Sequence, residues 1–151
     1  GYADCVFPLP LALGRQPALD WLNYAGLDAG AALHSVGDKI NYKGEAFEPV
    51  YRQALMVQSI DELALQMDLP APNHIKIDVD GTEMAVLHGA RQTLHDETLS
   101  TLLIEINEVH SPSQEVITLL GKAGLQITDR HNQEHINHDE QSYGPDHGPR
   151  D

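Results

Sequence analysis

Basic charge is scarce in this chain: nine lysines and arginines stand against 23 aspartates and glutamates, for a net charge of −14 with histidine neutral. So acidic a surface argues against a nucleic-acid partner, because it offers no broad path for a phosphate backbone. Cysteine is scarcer still. Cys5 is the only one, which excludes an internal disulfide framework and a multi-cysteine zinc site and suits a reducing compartment. No run approaches the ~18 to 20 apolar residues a spanning helix needs, and no basic-then-apolar leader opens the chain. No membrane partner and a cytoplasmic location are therefore expected. Aromatic residues make up only 5% of the 151 positions and hydrophobic residues 41%, enough for one modest core.

Pro8 and Pro10 each remove a ladder donor, so the apolar segment ending at Gly14 supports only a short strand, Cys5 to Leu13. Glycines at 26, 30, 37 and 44 then punctuate residues 18–48, and that spacing predicts an irregular insertion of hairpins and long loops. Val50 to Gln58 reads as a strand. Ser59 and Glu62 have capping-box spacing at the head of a helix with Ile60, Leu63, Ala64 and Met67 on one stripe, closed by Pro70 and Pro72. His74 to Val79 is a strand in which Ile75, Ile77 and Val79 alternate with ionisable Lys76, Asp78 and Asp80. A helix is predicted from Thr82 to His95, a strand from Leu99 to Ile106 and a helix from Ser111-Pro112 to Gly124, with Ser111 as cap and Gln114 completing its capping box. A last short strand is predicted from Leu125 to Asp129. Strands alternating with helices at these lengths form βαβ units, so the class is α/β. Residues 131–151 turn polar and are expected to form a flexible tail.

The sharpest constellation is Lys76-Ile77-Asp78-Val79-Asp80-Gly81-Thr82-Glu83. A strand of a covered parallel sheet should be nearly all apolar. Here three ionisable side chains share one face toward the strand's C-terminal end, where open α/β sheets bind ligands. Enclosed in such a sheet, Lys76 must meet a carboxylate, either Asp78 or Glu105, because desolvating an isolated charge costs several kcal/mol. Asp80 sits beside a glycine that lets a ligand approach the backbone, and Glu83 falls in a helix's first turn, where the dipole favours a carboxylate. A calcium loop does not fit, since its first ligand would fall on Lys76 and its twelfth on Leu87. His131, His135, His138 and His147 are expected to be solvated rather than metal-bound, so no metal is expected.

That octapeptide, with Ser59-Ile60-Asp61-Glu62-Leu63 before it and Val86-Leu87-His88-Gly89-Ala90, Thr93-Leu94 and Leu102-Leu103-Ile104-Glu105-Ile106-Asn107 after it, resembles the FkbM family of S-adenosylmethionine-dependent methyltransferases. The resemblance implies a Rossmann-like class I methyltransferase fold, with a mostly parallel sheet and flanking helices, and O-methylation of a small-molecule hydroxyl, on a sugar or secondary metabolite. It places Asp80, Glu105 and Asn107 at the chemistry and Asp78, Gly81 and Glu83 beside S-adenosylmethionine. The family's glycine-rich cofactor turn does not precede Leu11, so residues 1–130 are expected to be the C-terminal part of that domain. The strand at 74–80 would then carry an open edge, covered by an upstream domain or by a second copy in a homo-oligomer. The alternative is a non-catalytic interaction or dimerisation module that kept the sheet.

Overall fold

A computed structural model describes residues 5–27, 34–41, 43–108 and 112–131. Alternating residues between Ala18 and Gln58 build the first sheet. Strands β1 (Ala12–Leu13), β2 (Ala18–Tyr24), β3 (Ser35–Val36) and β4 (Tyr51–Gln58) lie in the order β1-β4-β2-β3. β1 runs parallel to β4, while β2 is antiparallel to both β3 and β4. The pairing of Leu19 with Met56, Trp21 with Ala54 and Asn23 with Arg52 puts those six side chains on one face. Asn23 is fully enclosed and satisfied: its Nδ2 donates to the Gly37 carbonyl at 3.0 Å and its Oδ1 accepts from Arg52 Nε at 3.1 Å. Ala18 to Tyr24 is thus more regular than the glycines that follow it suggest, because β4 supplies a full-length partner for β2.

The second half alternates helices and strands. Helix α1 (Ile60–Gln66) opens at Ser59, whose side chain accepts from the Glu62 N–H, so the predicted cap holds. β5 (His74–Ile77) and β6 (Thr101–Ile104) form a separate parallel pair, with Ile77 opposite Ile104. Between them lie α2 (Glu83–His88) and α3 (Arg91–Leu94), and α4 (Ser113–Lys122) follows. The molecule is therefore a mixed α/β fold with small sheets and short helices. One mostly parallel sheet was expected, but the larger sheet is mixed because β2 and β3 are inserted as antiparallel neighbours.

Other expectations need correction. The first strand shrinks to Ala12–Leu13 because Pro8 and Pro10 interrupt it. The helix predicted from Thr82 to His95 is two helices, broken at Gly89-Ala90. Residues Leu125 to Asp129 form no strand, as no neighbouring strand offers them a ladder. Pro112 is the cap residue of α4 rather than its first residue, and the exposed Glu108 carboxylate caps the helix by accepting from the Ser113 N–H at 2.9 Å. Ser111 lies outside the described residues. Met67 ends α1 exposed rather than continuing its packed stripe. The tail from residue 132 onward also lies outside the described residues.

The core is apolar and local to the second half: Ile77, Val86, Leu87, Ala90, Leu94, Leu99 and Val116 are buried together, with Ile75, Val79, Leu102 and Ile104 packed against them. Leu13 of β1 packs against this core, and two close contacts tie the core to the segments before it. Gly89 lies so close to Gly14 that an added Cβ would overlap the Gly14 carbonyl oxygen and sit 2.9 Å from Ser59 Cβ. Asp61 supplies the second. Its carboxylate accepts from the N–H groups of Gln92 and Thr93, both at 2.9 Å, and from Thr93 Oγ1 at 2.7 Å. Breaking the helix at Gly89 leaves α3 with orphan N–H groups, and Asp61 satisfies them.

Candidate functional site

The alternation in β5 has the predicted effect on exposure. Ile75, Ile77 and Val79 turn toward the core, whereas Lys76, Asp78 and Asp80 turn outward with Leu103 and Glu105 of the neighbouring strand. Parallel in-register pairing puts equivalent positions of the two strands on one side, so this acidic face spans both strand ends.

Lys76 and Asp78 pair at 2.7 Å, but their side chains remain 64% and 51% exposed. The expected partner is present; the expected enclosure is not. Among the described residues no element covers this face, so the pair keeps its hydration and is of the weakly stabilising surface type. The hydrogen bond to Asp78, and after it that carboxylate's charge, raises Lys76 above its ordinary value, with Glu105 adding in the same direction. The same bond and the Lys76 charge hold Asp78 below the usual carboxylate range, with Glu105 contributing.

Beyond the strand the chain turns sharply. Gly81 has φ +92°, which a residue with a side chain rarely adopts, and its N–H donates to Glu83 Oε1 at 3.0 Å. Glu83 is fully enclosed in the first turn of α2. The resemblance puts it beside the cofactor, and in the structure its carboxylate braces the Gly81 turn. Asp80 and Glu105 stand exposed at the tips of the two strands, and Asn107 is half-buried just past the second. The Glu105 N–H donates to the Ile77 carbonyl at 3.0 Å, which extends the ladder one residue beyond β6 and fixes the two tips side by side. The Lys76–Asp78 pair and Glu105 share one surface, and Asp80 is exposed in the turn beyond β5, where the Gly81 N–H donates to the Val79 carbonyl at 3.1 Å.

Two concave regions lie elsewhere. A depression of about 370 Å³ is lined by Arg15, Asp61, Glu62, His88 and Arg91, and a groove of about 550 Å³ runs between α2–α3 and α4. Neither includes the acidic strand tips. Sequence reasoning gave no role to Arg15 or Arg91, and it met His88 only as part of the segment Val86 to Ala90. It also missed the capping role of Asp61, whose only signal was a carboxylate at a helix start far from the helix it caps. No helix of the described residues is long and apolar enough to cross a membrane.

A family model described as the methyltransferase FkbM domain matches residues 3–135. Neither a curated protein nor a solved structure matches the chain.

Proposed function

Since the chain belongs to the FkbM methyltransferase family, we propose that it is the C-terminal, acceptor-facing part of a Rossmann-like class I domain that O-methylates a small-molecule hydroxyl, on a sugar or secondary metabolite. The observation that carries this reading is the open acidic surface at the tips of β5 and β6, where Asp78, Asp80 and Glu105 are all exposed beside a positive-φ glycine. Exposed carboxylates have the right charge to face a sulfonium cation, so the donor set suits S-adenosylmethionine. When bound, that cofactor supplies an electrophilic methyl group.

In this reading Asp80 works at the reacting centre. The Asp80 carboxylate would orient the acceptor hydroxyl and take up its proton as that oxygen is methylated. Glu105 and Asn107 hold the acceptor at the neighbouring strand tip. Asp78 and the Gly81 backbone face the cofactor, and Glu83 keeps the turn in register through its bond to the Gly81 N–H. The outer edge of β5, which pairs only with β6 among the described residues, is covered by an upstream domain or a second copy.

Calorimetric titration with S-adenosylmethionine, beside a methyl-transfer assay, tests this reading on a protein extended upstream by about 100 residues, unaltered and as Asp80→Asn. Saturable heat is expected for both proteins, with turnover of the variant about a hundredfold lower. No heat from the unaltered extended protein would favour a non-catalytic interaction module, a reading for which the unpaired β5 edge also speaks. Loss of cofactor affinity together with turnover would move Asp80 from the acceptor to the cofactor.

A further inference from the structure

The groove between α2–α3 and α4 combines two features that seldom coincide on so acidic a chain. Its floor is apolar, formed by Met84, Leu94, Leu119 and Ala123. Its rim is cationic or imidazole: Arg91 and His95 on one wall, Lys122 on the other, and His88 at the end, with Glu115 as the acidic lining residue. Nine basic residues serve the whole 151-residue chain against 23 acidic ones, so cations on both walls of one groove are a local reversal of the molecule's charge.

The rim groups are oriented. Arg91 Nη2 lies 3.3 Å from His88 Nδ1; a guanidinium only donates, so His88 accepts there and its proton sits on Nε2. His95 Nδ1 lies 2.7 Å from the Arg91 carbonyl oxygen and must donate to it, which pins that ring against α3. Arg91 and His88 also line the adjoining depression, together with Arg15. Asp61 and Glu62 line that depression as well, so its two guanidinium groups are balanced there by two carboxylates.

We propose that this groove binds a small amphipathic anion, an apolar body lying on Met84, Leu94, Leu119 and Ala123 with its carboxylate held by Arg91 and Lys122. A groove of about 550 Å³ falls in the range of small-molecule sites. An aliphatic floor rewards an apolar body by releasing water, while a forked guanidinium matches a carboxylate in geometry as well as charge. A neutral amphiphile forgoes the second contribution, and a short carboxylate forgoes the first. The site is independent of methyl transfer: its residues lie on α2, α3 and α4, apart from the acidic tips of β5 and β6.

The test is a calorimetric titration of the full chain with decanoate below its micellar concentration, beside decanol, acetate and phosphatidylglycerol vesicles. Decanoate is expected to saturate at one per chain, acetate to give no heat, and decanol to bind about tenfold more weakly. Arg91→Gln combined with Lys122→Gln should weaken decanoate about tenfold or more, and Glu115→Gln should tighten it. Non-saturating heat, equal affinity for decanol, or binding to vesicles without binding to free decanoate would overturn the proposal. Should the double variant fail to fold, Glu115→Gln decides alone, and an unchanged affinity there counts against the site.

Discussion

Asp61 and Thr93 are joined through both the backbone and the side chain of the threonine: Thr93 N–H and Thr93 Oγ1 converge on the same carboxylate oxygen, Oδ1, at 2.9 and 2.7 Å. The other oxygen takes the Gln92 N–H. One carboxylate thus caps α3 while belonging to the first turn of α1. Asp61→Ala is expected to cost about 2 kcal/mol, the sum of a lost helix cap and a lost hydroxyl bond. Asp61→Asn, which keeps one acceptor oxygen, should cost less. Urea denaturation of the two variants checks both the size and the order.

Gly89 and Gly121 both sit at the end of helices, and they predict opposite outcomes. A Cβ at Gly89 meets the Gly14 carbonyl oxygen, whereas a Cβ at Gly121 meets nothing within 4 Å. Gly89→Ala should therefore destabilise by about 3 kcal/mol through forced backbone separation. Gly121→Ala should stabilise by about 0.5 to 1 kcal/mol, the usual helix gain over glycine. Thermal melts of the two proteins should shift in opposite directions.

Lys76→Met is expected to leave the melting temperature unchanged. Its ion pair with Asp78 is solvated on both sides, so removing the ammonium strands no buried carboxylate. The pH consequence has a definite sign. Asp78 is held below its ordinary value, so its small contribution is present above the usual carboxylate range and fades as pH falls through the lowered pKa. A clear drop in melting temperature for Lys76→Met at neutral pH would contradict the open-face geometry.

His88 supplies a second pH signature. Burial lowers its pKa first, and the charges of Arg15 and Arg91 lower it further; the Asp61 and Glu62 carboxylates line the same depression. As pH falls below the ordinary histidine value of 6.5, the unfolded chain takes up this proton before the folded one. Stability is therefore full above that value and declines as pH falls through the folded pKa. His88→Gln should flatten that segment of a stability-versus-pH curve while leaving the carboxylate limb at lower pH in place.

The periodic elements were legible in the sequence because one local rule dictated each. The alternation of Ile75, Ile77 and Val79 with charged residues gave both the strand and its two faces, and Ser59 with Glu62 gave the start of α1. The FkbM likeness was legible for the same reason, since its residues cluster in short segments. What local rules could not reach were relations between distant segments. Only β4, arriving some thirty positions later, turns Ala18 to Tyr24 into a long strand. The helix break at Gly89 was hidden because glycine is tolerated in helices, and only the nearness of Gly14 makes it obligatory. The burial of Lys76 was misjudged because a sheet covered on both sides was assumed, whereas one side of β5 and β6 has no cover among the described residues. The cationic rim around Arg91 had no sequence signature.

The two-strand make-up of the β5–β6 pair has a mechanical corollary. Two strands alone are too few to persist in water, so this pair owes its order to the helices seated on Ile77 and Ile104. Loosening α2 or α4 would let the ribbon fray from its tips inward, and the bond from the Glu105 N–H to the Ile77 carbonyl would open before the rest of the molecule melts.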